Sequence, residues 1–213
     1  MKALLLVNGE LYKPDVVRSR IRDEAFDLVL GADGGARYAK TLNVTLDAVV
    51  GDMDSLSDLE QQGIKAEFVS YPAEKDETDL ELALLHAKKR GIDRIVMVGA
   101  MGGRMETTIA NIMLMANASL SSCRIEVWHG EQTGWAVKPP GEDIAGHPGD
   151  TLSLIPLGGY ASGITTEGLK YPLKDEGLPL GSSRGMSNLM DGQLARVRLA
   201  QGLLLAVHTP GRA

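Results

Sequence analysis

Four consecutive apolar runs in the first 110 residues each end in a loop carrying glycine or aspartate, and stretches of helical periodicity lie between the runs. That pattern constrains the fold more than any other feature of the chain. The apolar runs of the first part are Ala3–Val7, Phe26–Leu30, Ala48–Val50, Ala66–Val69, Ile95–Val98 and Ile125–Trp128. Leu80, Ala83, Leu84 and Ala87 fall at i, i+3, i+4 and i+7, which marks one face of a helix. Met105, Ile109, Ile112 and Ala116 repeat the pattern, predicting a second helix over Met105–Asn117. Unbroken apolar strands alternating with helices belong to a parallel sheet covered on its faces. The expected class is therefore α/β, with a Rossmann-like N-terminal domain over residues 1–130.

Beyond about residue 130 the texture changes. Pro139-Pro140-Gly141, His147-Pro148-Gly149 and Gly158-Gly159 read as turns. Leu194–Leu199 and Leu203–Val207 read as strands. In the first of these, Arg196 and Arg198 alternate with Ala195, Val197 and Leu199, the period of a half-exposed antiparallel strand. Asp191-Gly192-Gln193 and Ala200-Gln201-Gly202 look like hairpin turns. A smaller all-β, sandwich-like domain is expected over 131–213.

Charge narrows the partners. The chain of 213 residues has a net charge of −6. Residues 1–130 carry 15 basic and 20 acidic side chains, whereas residues 131–213 carry 7 and 8. A nucleic-acid backbone wants a basic face, so it is not expected as a partner. Excess carboxylate concentrated in the α/β part suits a cation site. The single cysteine, Cys123, permits no internal disulfide and reads as a small core residue, which fits a reducing, cytoplasmic setting. No apolar stretch reaches membrane-spanning length, and the N-terminal run reads as a first strand. The four histidines show no metal-ligand spacing.

Ligands of open α/β sheets bind at the carboxyl ends of the strands. Asp33-Gly34-Gly35 follows the second run. Its paired glycines suit close backbone approach or positive φ, and a helix start there favours phosphate. A plain turn with a capping aspartate is the alternative. Gly51-Asp52-Met53-Asp54-Ser55 follows the third run. Two carboxylates one residue apart repel unless a cation lies between them, and Mg²⁺ takes carboxylate and phosphate oxygens. Lys75-Asp76-Glu77-Thr78-Asp79 precedes a helix, with Asp76 expected as its N-cap. Asp76 and Asp79 are expected on one face, where the dipole favours negative charge or phosphate. Gly102-Gly103-Arg104 opens the next helix, where Arg104 can neutralise phosphate. No Gly-Lys-Ser/Thr follows, so this is not a P-loop.

Taken in order, Ala32-Asp33-Gly34-Gly35-Ala36, Gly51-Asp52-Met53-Asp54-Ser55, Lys75-Asp76-Glu77-Thr78-Asp79, Gly102-Gly103-Arg104 and Gly185-Met186-Ser187-Asn188 resemble the thiamine pyrophosphokinase family. The resemblance implies transfer of the pyrophosphoryl group of ATP to the hydroxyl of thiamine, giving thiamine diphosphate and AMP. It also implies a homodimer with the active site near the interface. Asp52, Asp54, Asp76 and Asp79 would then organise Mg²⁺ and the triphosphate. Asp33, Gly34, Gly35, Lys75, Gly102, Gly103, Arg104 and Asn111 would bind ATP. Ser187 and Asn188 would belong to the thiamine site. Tyr171 is the first candidate for an aromatic face under the cationic thiazolium, and Trp135 a weaker one.

The chain departs from the family pattern at four places. Glu106 and Thr107 stand where Asp-His is usual, Arg37 where Asn is common, and Leu189 where Glu is common. These departures leave two alternatives open: transfer to another alcohol such as a pterin, or a non-catalytic nucleotide- or thiamine-binding regulator.

Overall fold

The structure, a computed structural model, describes residues 1–52, 63, 65–72 and 74–211. The chain separates into two compact units, Met1–Gly130 and Glu131–Ala213.

The first unit is built on β1 (Lys2–Leu6), β2 (Leu28–Ala32), β3 (Ala48–Gly51), β4 (Glu67–Ser70), β5 (Arg94–Val98) and β6 (Arg124–His129). All pair in parallel, in the order β4-β3-β2-β1-β5-β6. Residues 3–6 of β1 are fully buried, which is what a central strand covered on both faces requires. The chain runs outward from β1 to β4, then returns to lay β5 on the other side of β1. The strand order therefore reverses beside β1, and a crevice opens at the carboxyl ends there.

The helices cover both faces. α1 (Pro14–Arg22) starts with proline at its first position, where the missing N–H costs nothing. Its Val17 and Ile21 share a core cluster with Ala39 and Leu42 of α2 (Tyr38–Leu42) and with Leu4, Leu6, Val96 and Val98. α3 (Asp79–Lys89) packs over β2 and β3 with Leu80, Leu82, Ala83, Leu84 and Ala87 buried. Each buried leucine there contributes roughly 1.5–3 kcal/mol.

Helix α4 (Met105–Met113) bears out the periodicity reading except at its end. It ends at Met113, and two short 3₁₀ turns, Leu114–Ala116 and Ala118–Leu120, follow it. Much of its apolar surface is exposed: Met105 is 76 % exposed, Ile109 51 % and Met113 55 %. Periodicity shows that a helix has an apolar face; it does not show what covers that face. Cys123 is buried with its Sγ 3.5 Å from the Ile92 carbonyl, as a small core residue should be.

At the amino ends of the central strands, Glu126 of β6 collects donors. Arg94 reaches it through Nε at 3.0 Å and Nη2 at 2.8 Å, Arg124 through Nε at 2.9 Å, and Trp128 through Nε1 at 3.4 Å. Arg94 also pairs with Glu24, which Lys2 holds at 2.8 Å.

The second unit consists of two antiparallel sheets on one core. One is ordered β12 (Asn188–Leu189), β9 (Thr151–Pro156), β14 (Leu204–Thr209), β7 (Gln132–Val137). The other is ordered β11 (Glu176–Leu178), β10 (Ala161–Glu167), β13 (Leu194–Arg198), β8 (Gly141–Ala145). Val137, Leu152, Leu154 and Ala206 from the first meet Ile144, Ile164, Ala195 and Val197 from the second. Arg196 and Arg198 point outward, as their alternation predicts, and pair with Glu167 and Asp143. The two expected hairpins are corrected. β13 pairs with β10 and β8, while β14 pairs with β7 and β9, so 191–193 and 200–202 carry the chain from one sheet to the other. Glycine-rich turns look alike in sequence whether they close a hairpin or change sheets.

Asp150 ties this unit together. Burial pushes its carboxyl up, but the Gly211 and His147 amides and the His208 ring more than offset that and hold it at about 2.

Candidate active site

A cleft of about 650 Å³ opens at the carboxyl ends of the parallel strands of the first unit. Val7, Asn8 and Gly9 line it from the end of β1, and Ala32 and Asp33 from the end of β2. Thr78, Asp79 and Leu80 contribute the start of α3. Gly102, Gly103, Arg104, Glu106 and Thr107 contribute the β5–α4 loop and first turn, with Ala110 and Asn111 behind them.

The loops that form the cleft are laced to one another. Val7, Gly9 and Glu10 donate their backbone N–H to Val98, Gly99 and Met101 at 2.8, 2.7 and 2.6 Å. Gly102 and Gly103 have φ of +83° and +72°, a conformation that L side chains rarely adopt. The buried Asn111 donates its amide to the Ala100 carbonyl at 2.8 Å, and Thr108 its hydroxyl to the Gly102 carbonyl at 3.3 Å. Asn111 thus lines the cleft and also shapes the loop in front of it.

Asp33-Gly34-Gly35 works differently from the expectation of glycines at positive φ. Asp33 itself sits in the left-handed region at φ +47°, whereas neither glycine has positive φ. Gly35 is needed because a Cβ would stand 2.3 Å from the Leu6 carbonyl oxygen; Gly34, because a Cβ would stand 2.8 Å from Asn8 Nδ2. The pair lets this 3₁₀ turn (Asp33–Arg37) press against the end of β1, and Asp33 rather than the glycines faces the cleft. Strain of this kind at an acidic residue is a common mark of a functional position. A Cβ on Gly51 would lie 3.3 Å from Asp33 Cα, so the start of Asp52 is brought beside the same turn.

The Lys75–Asp79 segment is also corrected in detail. The N-cap of α3 is Thr78, whose Oγ1 accepts from the Glu81 N–H at 3.2 Å; Asp76 lies before the helix and is exposed. Asp76 and Asp79 therefore do not share a helical face. Threonine wins because its cap places Asp79 in the first turn, where the helix dipole favours negative charge. Lys75 Nζ lies 2.6 Å from Asp79 Oδ1, both largely withdrawn from solvent.

Arg104 pairs with Glu106 at the exposed rim. The hydrogen bond of Glu106 to its own backbone N–H, followed by that to Arg104, lowers its carboxyl below the usual range.

Among the described residues, no three acidic, histidine or cysteine side chains are close enough together to hold a metal ion. Asp54 lies outside the described residues. The donor chemistry nonetheless fits a hard cation. Asp33 and Asp79 in the cleft and Asp52 beside Asp33 offer only oxygen, and the Lys75 ammonium already shows that Asp79 takes a positive partner.

Within the second unit, Asn188 is buried and its amide is engaged on both sides. Oδ1 accepts from the Tyr171 and Leu189 N–H groups at 3.0 Å, and Nδ2 donates to the Tyr171 carbonyl at 2.7 Å. It clamps the backbone of Tyr171, whose ring is exposed with Lys170 Nζ 5.5 Å from its centroid. Ser187 adopts φ +54° and donates its N–H to Ser153 Oγ at 3.0 Å. Trp135 is buried in the core and bonds Glu142 through its ring N–H, so ordinary packing accounts for it.

The sequence reading did not single out Asn8 or Gly9, and it placed Thr78 in the Lys75–Asp79 motif without its capping role. The signal for the first two was present: Asn8-Gly9 follows the apolar run Ala3–Val7, so the rule applied to the other strand ends also covers β1.

Comparison with known proteins gives the following. The family model described as "Thiamin pyrophosphokinase, catalytic domain" matches residues 23–127. That described as "Thiamin pyrophosphokinase, vitamin B1 binding domain" matches residues 140–204. A curated relative, thiamine pyrophosphokinase of Bacillus subtilis, is 30% identical over 187 residues, covering 85% of this chain and 87% of the relative. The crystal structure of thiamine pyrophosphokinase from Bacillus subtilis superposes with a TM-score of 0.84 at 23% identity, covering 99% of each chain. A thiamin pyrophosphokinase family protein from Enterococcus faecalis gives 0.82 at 24% identity, covering 100% of each.

Proposed function

This chain belongs to the thiamin pyrophosphokinase family, and from that premise we infer that it transfers the pyrophosphoryl group of ATP to the hydroxyl of thiamine, giving thiamine diphosphate and AMP. The observation that carries the reading onto this geometry is the cleft itself. Acidic and glycine-rich strand ends far apart in sequence meet there around one opening.

The order β4-β3-β2-β1-β5-β6 supports a Rossmann-like reading of residues 1–130 as the ATP- and Mg²⁺-binding catalytic domain. Residues 131–213 form the thiamine-binding domain in this reading. Asp33, Gly102, Gly103, Arg104 and Asn111 bind the nucleotide; Gly34 and Gly35 support it by letting the Asp33 turn approach β1. Asp52, Asp54, Asp76 and Asp79 would hold Mg²⁺, with Lys75 as the partner of Asp79. When bound, the ion supplies charge screening of the triphosphate.

The rest is positioning. The thiamine hydroxyl oxygen forms a bond to the β-phosphorus, the bond from that phosphorus to the α,β-bridging oxygen breaks, and AMP leaves with the electron pair. The hydroxyl proton passes to a cleft carboxylate. Transfers of this type depend on alignment and charge neutralisation more than on covalent steps. Tyr171 offers an exposed ring to the thiazolium, Asn188 fixes the backbone that presents it, and Ser187 completes the thiamine site.

The chain acts as a homodimer in this reading, because Met105, Ile109 and Met113 form an exposed apolar stripe along α4, whose first turn also lines the cleft. Ile109→Glu is expected to shift the protein from dimer to monomer by at least about tenfold in dissociation constant. Sedimentation of both proteins checks this, and a wild type that sediments as a monomer at micromolar concentration removes the dimer. We place the activity in the cytoplasm. The buried, unpaired Cys123 fits that setting, and among the described residues no helix is long and apolar enough to cross a membrane.

The test of the reaction is a product assay with ATP, Mg²⁺ and thiamine, separating nucleotides and thiamine species. Thiamine-dependent AMP together with thiamine diphosphate is the expected result. AMP formation that ignores thiamine but follows a pterin alcohol would overturn the acceptor.

A further inference from the structure

Asn8 stands at the end of β1, where the strand order reverses, and no motif in the sequence reading included it. Its side chain lines the cleft beside Asp33. Its Oδ1 accepts from Nη1 of Arg37, and its Nδ2 lies 3.4 Å from Asp33 Oδ2. A carboxamide can sit in either of two orientations, but a guanidinium only donates. Arg37 therefore settles the matter: the amide oxygen faces Arg37, and the NH₂ group is left on the side of Asp33 and the cleft.

Arg37 is itself held. Nη2 donates to the Tyr38 hydroxyl at 2.9 Å, and the guanidinium carbon lies 4.6 Å from the Tyr38 ring centroid. The Tyr38 hydroxyl in turn donates to the Gly9 carbonyl, next to Asn8. A cation bound to the amide oxygen also draws electron density from the nitrogen, which strengthens its N–H groups as donors. Among the described residues, the one hydrogen bond that the NH₂ group makes is the long one to Asp33. A neutral donor with two N–H groups, one of them still available, suits a phosphoryl oxygen.

We propose that Asn8 donates its amide N–H to a phosphoryl oxygen of the bound nucleotide, and that Arg37 is the positioning residue that fixes the direction of that amide. This rests on the nucleotide reading of the cleft given above.

The test is calorimetric titration of the full chain, in Mg²⁺, with α,β-methylene-ATP, which lacks the bond the reaction breaks and so needs no acceptor. Asn8→Ala and Asn8→Asp are expected to weaken binding by about tenfold or more, the usual loss of a hydrogen bond to a charged group. Arg37→Met is expected to weaken binding about three- to tenfold in the wild-type background and less than about twofold when Asn8 is already alanine. Asn8→Ala binding within about twofold of wild type would overturn the contact. An Arg37→Met loss that is equal in both backgrounds would overturn the positioning role. Should Asn8→Ala fail to fold, Asn8→Asp replaces it as the background. A wild type that does not bind the analogue would instead overturn the nucleotide reading itself, a separate result.

Discussion

Asp79→Asn is expected to lower kcat by roughly a hundred- to a thousandfold, the scale of losing one charged group that acts on a transferring phosphoryl centre. The substitution keeps the shape of the side chain and removes only its charge. Asp79 is the first residue of α3, faces the cleft, and carries Lys75 at 2.6 Å. The cap that starts the helix belongs to Thr78, so the helix survives the change. The measurement is the initial rate of thiamine-dependent AMP formation beside a thermal unfolding curve. A mutant that keeps more than about a tenth of wild-type turnover would remove Asp79 from the machinery. A large loss of unfolding temperature would mean that the Lys75–Asp79 pair is structural instead.

The second large effect is on stability. Glu126→Ala is expected to destabilise the first unit by about 3–5 kcal/mol, the usual result of leaving one partner of a largely buried pair alone. Glu126 is 5 % exposed and receives four hydrogen bonds; without it Arg94 keeps, among the described residues, only the Glu24 carboxylate as a partner. Burial pushes the Glu126 carboxyl up, but the bonds from Arg94 and Arg124 outweigh burial and hold it below its ordinary value of 4.5. Its stabilisation is therefore fully present above that ordinary value and fades as pH falls through the lowered native one. Urea unfolding at neutral and acid pH checks both points. A mutant as stable as wild type at neutral pH, or a wild-type-to-mutant gap that widens on acidification, would contradict the assignment. The cluster lies at the amino ends of the strands, so nucleotide affinity should be unchanged where the mutant is folded.

The parts of the molecule legible in its sequence were those decided by local repetition. All six strands of the first unit follow from runs such as Ile95–Val98, and α3 from Leu80, Ala83, Leu84 and Ala87, because burial enforces the period. The same rule found α4 but overran its end at Met113, and the period does not show what covers the exposed face. Strand-end chemistry led to Asp33, Asp79 and Gly102–Arg104, all of which line the cleft. What stayed hidden was non-local. Nothing near position 8 announces that Arg37 will meet Asn8, and nothing near Gly35 announces the Leu6 carbonyl a Cβ would strike. The swap of sheets at residues 200–202 is likewise a choice made by distant partners, β10 and β8 against β7 and β9.

The lacing of residues 7–10 to residues 98–101 bears on how the protein comes into being. The three hydrogen bonds involved close a span of about ninety residues, and such distant pairings are slow to find because the chain entropy is spent before the contacts reward it. β1 is synthesised well before β5, yet it cannot complete its edge until β5 has emerged and docked. The opening between them thus cannot form before residue 98 has been made, and a nascent chain that stops short of it has nowhere to seat a nucleotide. Synthesis and competence to bind are separated in time by the topology alone.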